Sequence, residues 1–350
     1  MDMEVSQVHG GDWASPSVME YVPGQQLLDL SSSISPYGPG PRARSLWPSL
    51  IDRIDRYPDW RAFEATKTAA AHLHVEEHQV LMTAGGVEAI DLVLQSFAPP
   101  RVFVKVPAFS EYRDRAEIRG IPVHSVSGAG DLSGQRGLLF VANPANPTGE
   151  VLRPQDMAPY LEWAQQPGAA MVVDEAFLEF LQDWRELTVT LQAAANSHLV
   201  VIGSLTKFYG LAGLRVGYIV ASRAHIEAAA SASLPWHVSL VAQDMATACL
   251  QDQTYFAQTR CLLDAERERL TGLLAPLGRV REGAEANYLL FSPHGARLDE
   301  VLHGLNKRAI LVRDARTFEG LDGLYVRIAV KRPEDSDRLV RALQEVYAGK

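Results

Sequence analysis

A chain of 350 residues and 38.4 kDa is long enough to bury a large core and, as a first expectation, to form two domains. Its 47% hydrophobic and 21% charged residues match an ordinary soluble globular protein rather than a disordered one. The formal charge of -9, with no dominant cluster of lysine and arginine, argues against a nucleic-acid footprint. Cys249 and Cys261 are too few for a disulfide framework, and no Cys/His group has zinc spacing, so no metal is expected.

The opening "MDMEVSQVHGGDW" has neither a basic region nor an apolar stretch of signal-peptide type, and no apolar run is long enough to span a bilayer. A cytoplasmic protein without membrane contact is expected. Residues 1–44, rich in Gly, Pro and Ser ("HGGD", "SSSISPYGPGP"), form an extended arm in this reading. From residue 45 the pattern changes. Short apolar runs ("RVFVKV", "GLLFVA", "AAMVVDEAF", "HLVVIGS", "RVGYIVA") alternate with helix-length amphipathic patches. Such runs suit strands covered on both faces, and their alternation with helices predicts a mostly parallel, doubly wound α/β sheet over residues 45–238. The pattern stops at "SLPWHVS"; long helices, "ANYLLFS", "LDEVLHGLNKRA", "ILVRDA", "LYVRIAV" and a last helix then predict a smaller α+β domain over residues 239–350, completed by the arm.

In open α/β sheets, ligands bind beyond the carboxyl ends of the strands, so polar residues there are informative. "LMTAGGVEAI" puts Gly85, Gly86 and Val87 between a strand and a helix beginning near Glu88, where free N–H groups and a positive dipole end make a seat for phosphate. By itself this pattern also describes a plain turn. "VANPANPTGEV" follows a strand with a rigid loop that aims Asn143 and Asn146 at the same edge, or forms an Asn-Pro turn. Asp174 ends another buried run and needs a partner; a structural ion pair would also explain it. Lys207, in "GSLTKFYGLAGLRVGY", follows a buried run and is trailed by Arg215. A lysine in a partly dry pocket near a second cation has a depressed pKa and can condense with an aldehyde, although its head could instead snorkel to solvent. Arg215 serves as that cation and as a phosphate anchor, with Ser204 adding a hydrogen bond. A phosphate seat, an Asn loop, a buried Asp and Ser-x-x-Lys followed by Arg, on successive strand ends, together describe a site for pyridoxal 5′-phosphate.

These motifs resemble the fold-type-I pyridoxal-phosphate enzymes, the aspartate aminotransferase superfamily, over essentially the whole chain. The resemblance implies that Lys207 carries the cofactor as a Schiff base and that Asp174 pairs with the ring nitrogen. It further implies that Asn146 contacts the phenolic oxygen, Phe109 stacks on the ring, and Gly85, Gly86, Val87, Ser204 and Arg215 hold the phosphate. Tyr57 of "DRYPDW" matches a tyrosine that reaches a phosphate in the neighbouring subunit, which implies a homodimer with shared sites. His9, Gly10, Ser33, Asn146, Arg313 and Arg327 correspond to substrate-binding positions. Within the superfamily, "HGG", "LLDLSSSISPYGPG", "LPWHVS", "ANYLL" and "ILVRDARTFEGL" are most similar to the threonine-phosphate decarboxylases of cobalamin biosynthesis. The histidinol-phosphate aminotransferases share "RYP", "NPTG" and "DEA". The resemblance therefore implies decarboxylation of L-threonine O-3-phosphate, with a histidinol-phosphate-type aminotransferase as the alternative and a non-catalytic cofactor-binding protein as the second. Phe177 stands where aminotransferases carry a tyrosine, Ser33 and Ser35 stand where the decarboxylase pattern has asparagines, and Val87 lacks the hydroxyl usual in the phosphate turn.

Overall fold

Seven short strands build the main sheet: β2 (Val80–Thr83), β3 (Val102–Lys105), β4 (Val123–Val126), β5 (Gly137–Ala142), β6 (Ala169–Asp174), β7 (Leu199–Ser204) and β8 (Gly217–Val220). The computed structural model describes residues 10–11, 26–295, 298–321 and 323–348. The sheet order is β2-β8-β7-β6-β5-β3-β4. All neighbours are parallel except β8, which runs against both β2 and β7. Period-two alternation divides each central strand between two apolar layers. Leu139, Val141, Met171, Val173 and Val201 face one layer, and Leu138, Phe140, Val172, Val200 and Ile202 the other. Burying each such side chain contributes about 1.5–3 kcal/mol, which is why these strands carry almost no polar residues until their ends.

The remaining strands lie outside that sheet. β9 (Gly278–Val280), β10 (Tyr288–Pro293), β12 (Arg313–Asp314) and β13 (Val326–Ala329) form an antiparallel sheet in the order β12-β13-β10-β9. β1 (Leu28–Asp29) pairs in parallel with β11 (Ile310–Leu311), so the segment at the start of the chain is held by one near its end. The tie continues beyond the strands: Ala329 N donates to Leu30 O at 2.9 Å, and Lys331 Nζ donates to Ile34 O at 2.7 Å. Two elements differ from the sequence expectation. β4 is an edge strand of sequence "VHSV" with two exposed positions, so it lacks the apolar run that marks its neighbours. The helix expected near Glu88 starts at Gly86, because Gly85 takes a φ of +91° and acts as its N-cap. Among the described residues no helix is long and apolar enough to cross a membrane.

Candidate active site

β5, β6 and β7 end side by side, with Ala142 paired to Asp174 and Asp174 paired to Ile202. A cavity of about 540 Å³ lies against these ends. Of the residues singled out from the sequence, Gly10, Ser33, Gly86, Val87, Phe109, Asn146, Asp174, Ser204, Lys207, Arg215, Arg313 and Arg327 all line it. Positions more than 300 residues apart in the chain thus meet in one space.

One end is formed by the first turn of the helix Gly86–Phe97, Ser204 and Arg215. Gly85 permits the close approach there: a Cβ at this residue would lie 2.7 Å from Arg215 Nη2. Arg215 itself has a left-handed φ of +56°. Ser204 Oγ and Thr206 Oγ1 are 2.6 Å apart. Free helix N–H groups, two hydroxyls and a guanidinium make a seat for a phosphate.

Asp174 and Lys207 occupy the middle. The Tyr112 hydroxyl donates to Asp174 Oδ2 at 2.6 Å, and Ala176 N donates to Oδ1 at 2.9 Å. Burial raises the Asp174 pKa; those two hydrogen bonds and the Lys207 charge oppose it. Lys207 Nζ is pulled down to about 8, first by burial and then by the charges of Arg327 and Arg215. Its Nζ lies 6.0 Å from the centre of the Phe177 ring, an apolar wall with no hydroxyl to offer. Phe109 meets Tyr112 edge-on at 5.9 Å.

The other end is cationic. Arg327 is buried; its Nη1 donates to Asn146 Oδ1 at 2.5 Å and its Nη2 to Ser31 O at 2.7 Å. Burial lowers its pKa to about 10. Its Nε and the hydroxyl of Ser33 are buried without a hydrogen-bond partner, a costly arrangement that a polar ligand would relieve. Arg313 Nη2 donates to Thr317 Oγ1 at 2.9 Å, and the Phe318 ring lies under both arginines. Gly10 closes this end. A Cβ there would fall 2.2 Å from Ser31 O, so only glycine fits.

Not every expected residue arrives. Tyr57, expected to reach the site of a neighbouring subunit, is 80% exposed, packs on Trp236 at 4.8 Å, and accordingly lies outside the lining of its own chain's cavity. Asn143 does not share the Asn146 orientation. Its amide exchanges two hydrogen bonds with the Leu152 backbone, at 2.8 and 3.2 Å, and so clamps the loop. The Ser35 hydroxyl is buried but not part of the lining. His9 lies outside the described residues. Tyr112, Thr317 and Phe318 were missed. Tyr112 sits in the first turn of the helix Glu111–Ile118, and its residue type alone carried no signal of a role.

Comparison with known proteins gives consistent results. The family model described as aminotransferase class I and II matches residues 25–343. The chain is 30% identical to the threonine-phosphate decarboxylase of Salmonella typhimurium over 359 residues, covering 98% of each. It is 31% identical to histidinol-phosphate aminotransferase 2 of Archaeoglobus fulgidus over 337 residues, covering 93% of this chain and 95% of that one. The crystal structure of L-threonine-O-3-phosphate decarboxylase from Porphyromonas gingivalis superposes with a TM-score of 0.82 at 25% identity, covering 93% of this chain and 100% of that one.

Proposed function

Since the chain belongs to the aminotransferase class I and II family, we propose that it removes the carboxylate of L-threonine O-3-phosphate to give (R)-1-aminopropan-2-ol O-2-phosphate, a step of cobalamin biosynthesis. The family's cofactor is pyridoxal 5′-phosphate, and the residues present fit it. Gly85, Gly86, Val87, Ser204 and Arg215 would hold its phosphate, Asp174 its ring nitrogen, Asn146 its phenolic oxygen, Phe109 its ring face and Lys207 its aldehyde. When bound there, the cofactor supplies a carbonyl that condenses with amines and a conjugated ring that accepts the electron pair of a broken Cα bond.

The chain's own groups then decide which bond breaks. Only the Cα bond standing perpendicular to the ring overlaps it, so the cationic end must turn the carboxylate out of plane. Arg313 and Arg327 offer two positive charges for the substrate's two anions, its phosphate and its carboxylate. Ser33 lines the same end of the cavity. Lys207 Nζ, with a pKa of about 8, is poised near neutrality to return a proton at Cα after carbon dioxide leaves.

The observation that carries the choice of decarboxylation is Phe177. Aminotransferases of this superfamily place a tyrosine hydroxyl there; here a ring without a donor faces Lys207. A homodimer is supported by the exposed large apolar side chains of Trp47, Ile51, Ile54, Tyr57, Trp60 and Phe63, close together in sequence, and by Tyr57 packing on the exposed Trp236 at 4.8 Å. In such a dimer Tyr57 would serve the neighbouring subunit. The test is incubation with O-phosphothreonine in the absence of any 2-oxo acid. Release of carbon dioxide and the aminopropanol phosphate is expected; amine transfer from histidinol phosphate to 2-oxoglutarate as the main turnover overturns the proposal.

A further inference from the structure

Tyr112 is 1% exposed, yet its hydroxyl is aimed at the cavity wall rather than at a backbone group. Its ring is clamped on two sides, stacked on Phe140 with centroids 5.1 Å apart at 13°, and edge-on to Phe109. The phenol therefore has little rotational freedom, and its oxygen stands 2.6 Å from Asp174 Oδ2. Oδ1 receives the Ala176 N–H. Each carboxylate oxygen thus has one fixed donor from the protein, which sets the rotation of the group about its Cβ–Cγ bond.

We propose that Tyr112 is a positioning residue for Asp174, whose buried hydroxyl both orients the carboxylate and keeps it ionised. The proposal rests on the reading of Asp174 as the partner of the cofactor's ring nitrogen. A carboxylate in an apolar surround tends to take up a proton, and a neutral acid holds a ring cation poorly. A donor on Oδ2 stabilises the anion and so leaves the proton on the ring. Tyr112 cannot surrender that role by ionising near neutral pH. Burial, followed by the adjacent Asp174 charge, pushes its own pKa far up. The other titratable groups around Asp174 are Lys207 beyond β7, Tyr218 on β8, Tyr288 on β10 and Glu175 next in the chain. Of these, the Lys207 charge favours the anion, while the Asp174 charge in turn raises the pKa of Tyr218, Tyr288 and Glu175.

Tyr112→Phe keeps the ring contacts and deletes only the donor. In the cofactor-free full-length chain carrying ¹³C-carboxyl aspartate, the Asp174 signal is assigned by its loss in Asp174→Asn. Its midpoint is expected to rise by about one to two pH units in Tyr112→Phe, the equivalent of a charge-assisted hydrogen bond. In the chain loaded with ¹⁵N-labelled cofactor, the ring-nitrogen signal is expected to move away from the protonated position. A 3,5-difluorotyrosine at position 112, a stronger donor of nearly the same shape, should move the Asp174 midpoint down, which keeps the test decisive if the phenylalanine variant folds poorly. Unchanged midpoints and an unchanged ring-nitrogen signal, even with reduced turnover, would show a hydroxyl that merely packs and would overturn the proposal. Failure of the parent chain to bind the cofactor would sink the functional proposal instead, and leave the carboxylate comparison standing.

Discussion

Replacing Lys207 with methionine in the cofactor-free chain removes one charge from the cavity at nearly constant length. The native amine has a pKa of about 8 against its ordinary 10.5. The native state therefore releases its proton before the unfolded chain does. Between those two values the unfolded chain binds more protons, so stability rises with pH. At about pH 7 the buried charge costs up to ~3 kcal/mol, an upper figure because Nζ opens onto the cavity and is partly screened. Raising the pH to about 9.5 relieves about 2 kcal/mol of that cost in the parent and nothing in the variant. Chemical denaturation of both proteins across this range measures the difference directly. Groups common to both, such as Lys331 with its pKa of about 8, cancel in the subtraction. Lys207→Met is expected to be the more stable protein near neutral pH, with the gap narrowing steadily as pH rises. Parallel curves would refute the claim that Lys207 is held partly desolvated beside Arg327 and Arg215.

Three further outcomes are expected. Gly85→Ala imposes strain of about 1–2 kcal/mol at a positive φ and drives a methyl against Arg215, so cofactor retention on dialysis should fall while the circular dichroism spectrum stays unchanged. Leu139→Ala empties a fully buried position between sheet and helices, and should cost about 2–5 kcal/mol in urea denaturation. The double change Tyr57→Ser and Trp236→Ser should shift the protein toward monomer in sedimentation velocity; an unaltered dimer would remove this surface from the proposed interface.

Lys207, Asp174 and Asn146 were legible in the sequence because each is a polar residue at or just past the end of an apolar run, where a strand must stop and a parallel sheet places its ligands; Arg215 stands just before β8, whose antiparallel course brings its start to the same edge. The six-residue runs "GLLFVA" and "LVVIGS" encode burial on both faces without ambiguity. β4 was not legible, since "VHSV" at a sheet edge has one face in water and no apolar signature. Asn143 was misjudged because the type of residue does not say which neighbour claims its amide; the Leu152 backbone does. Tyr112 escaped because its role depends on a contact across 62 residues, from the helix after β3 to the end of β6. The vacant hydroxyls of Ser33 and Ser35 are likewise a property of packing, not of composition.

The pairing of β1 with β11 has a consequence for synthesis. Ser32 and Ser33 border the cavity and precede every strand of the main sheet, but the groups that hold their segment (Ala309, Leu311, Arg327, Ala329 and Lys331) all follow its last strand, β8. The central sheet can assemble while this segment still waits. A wall encoded before the main sheet is therefore set after it, and the cavity cannot close during synthesis until residues 309–331 have been made.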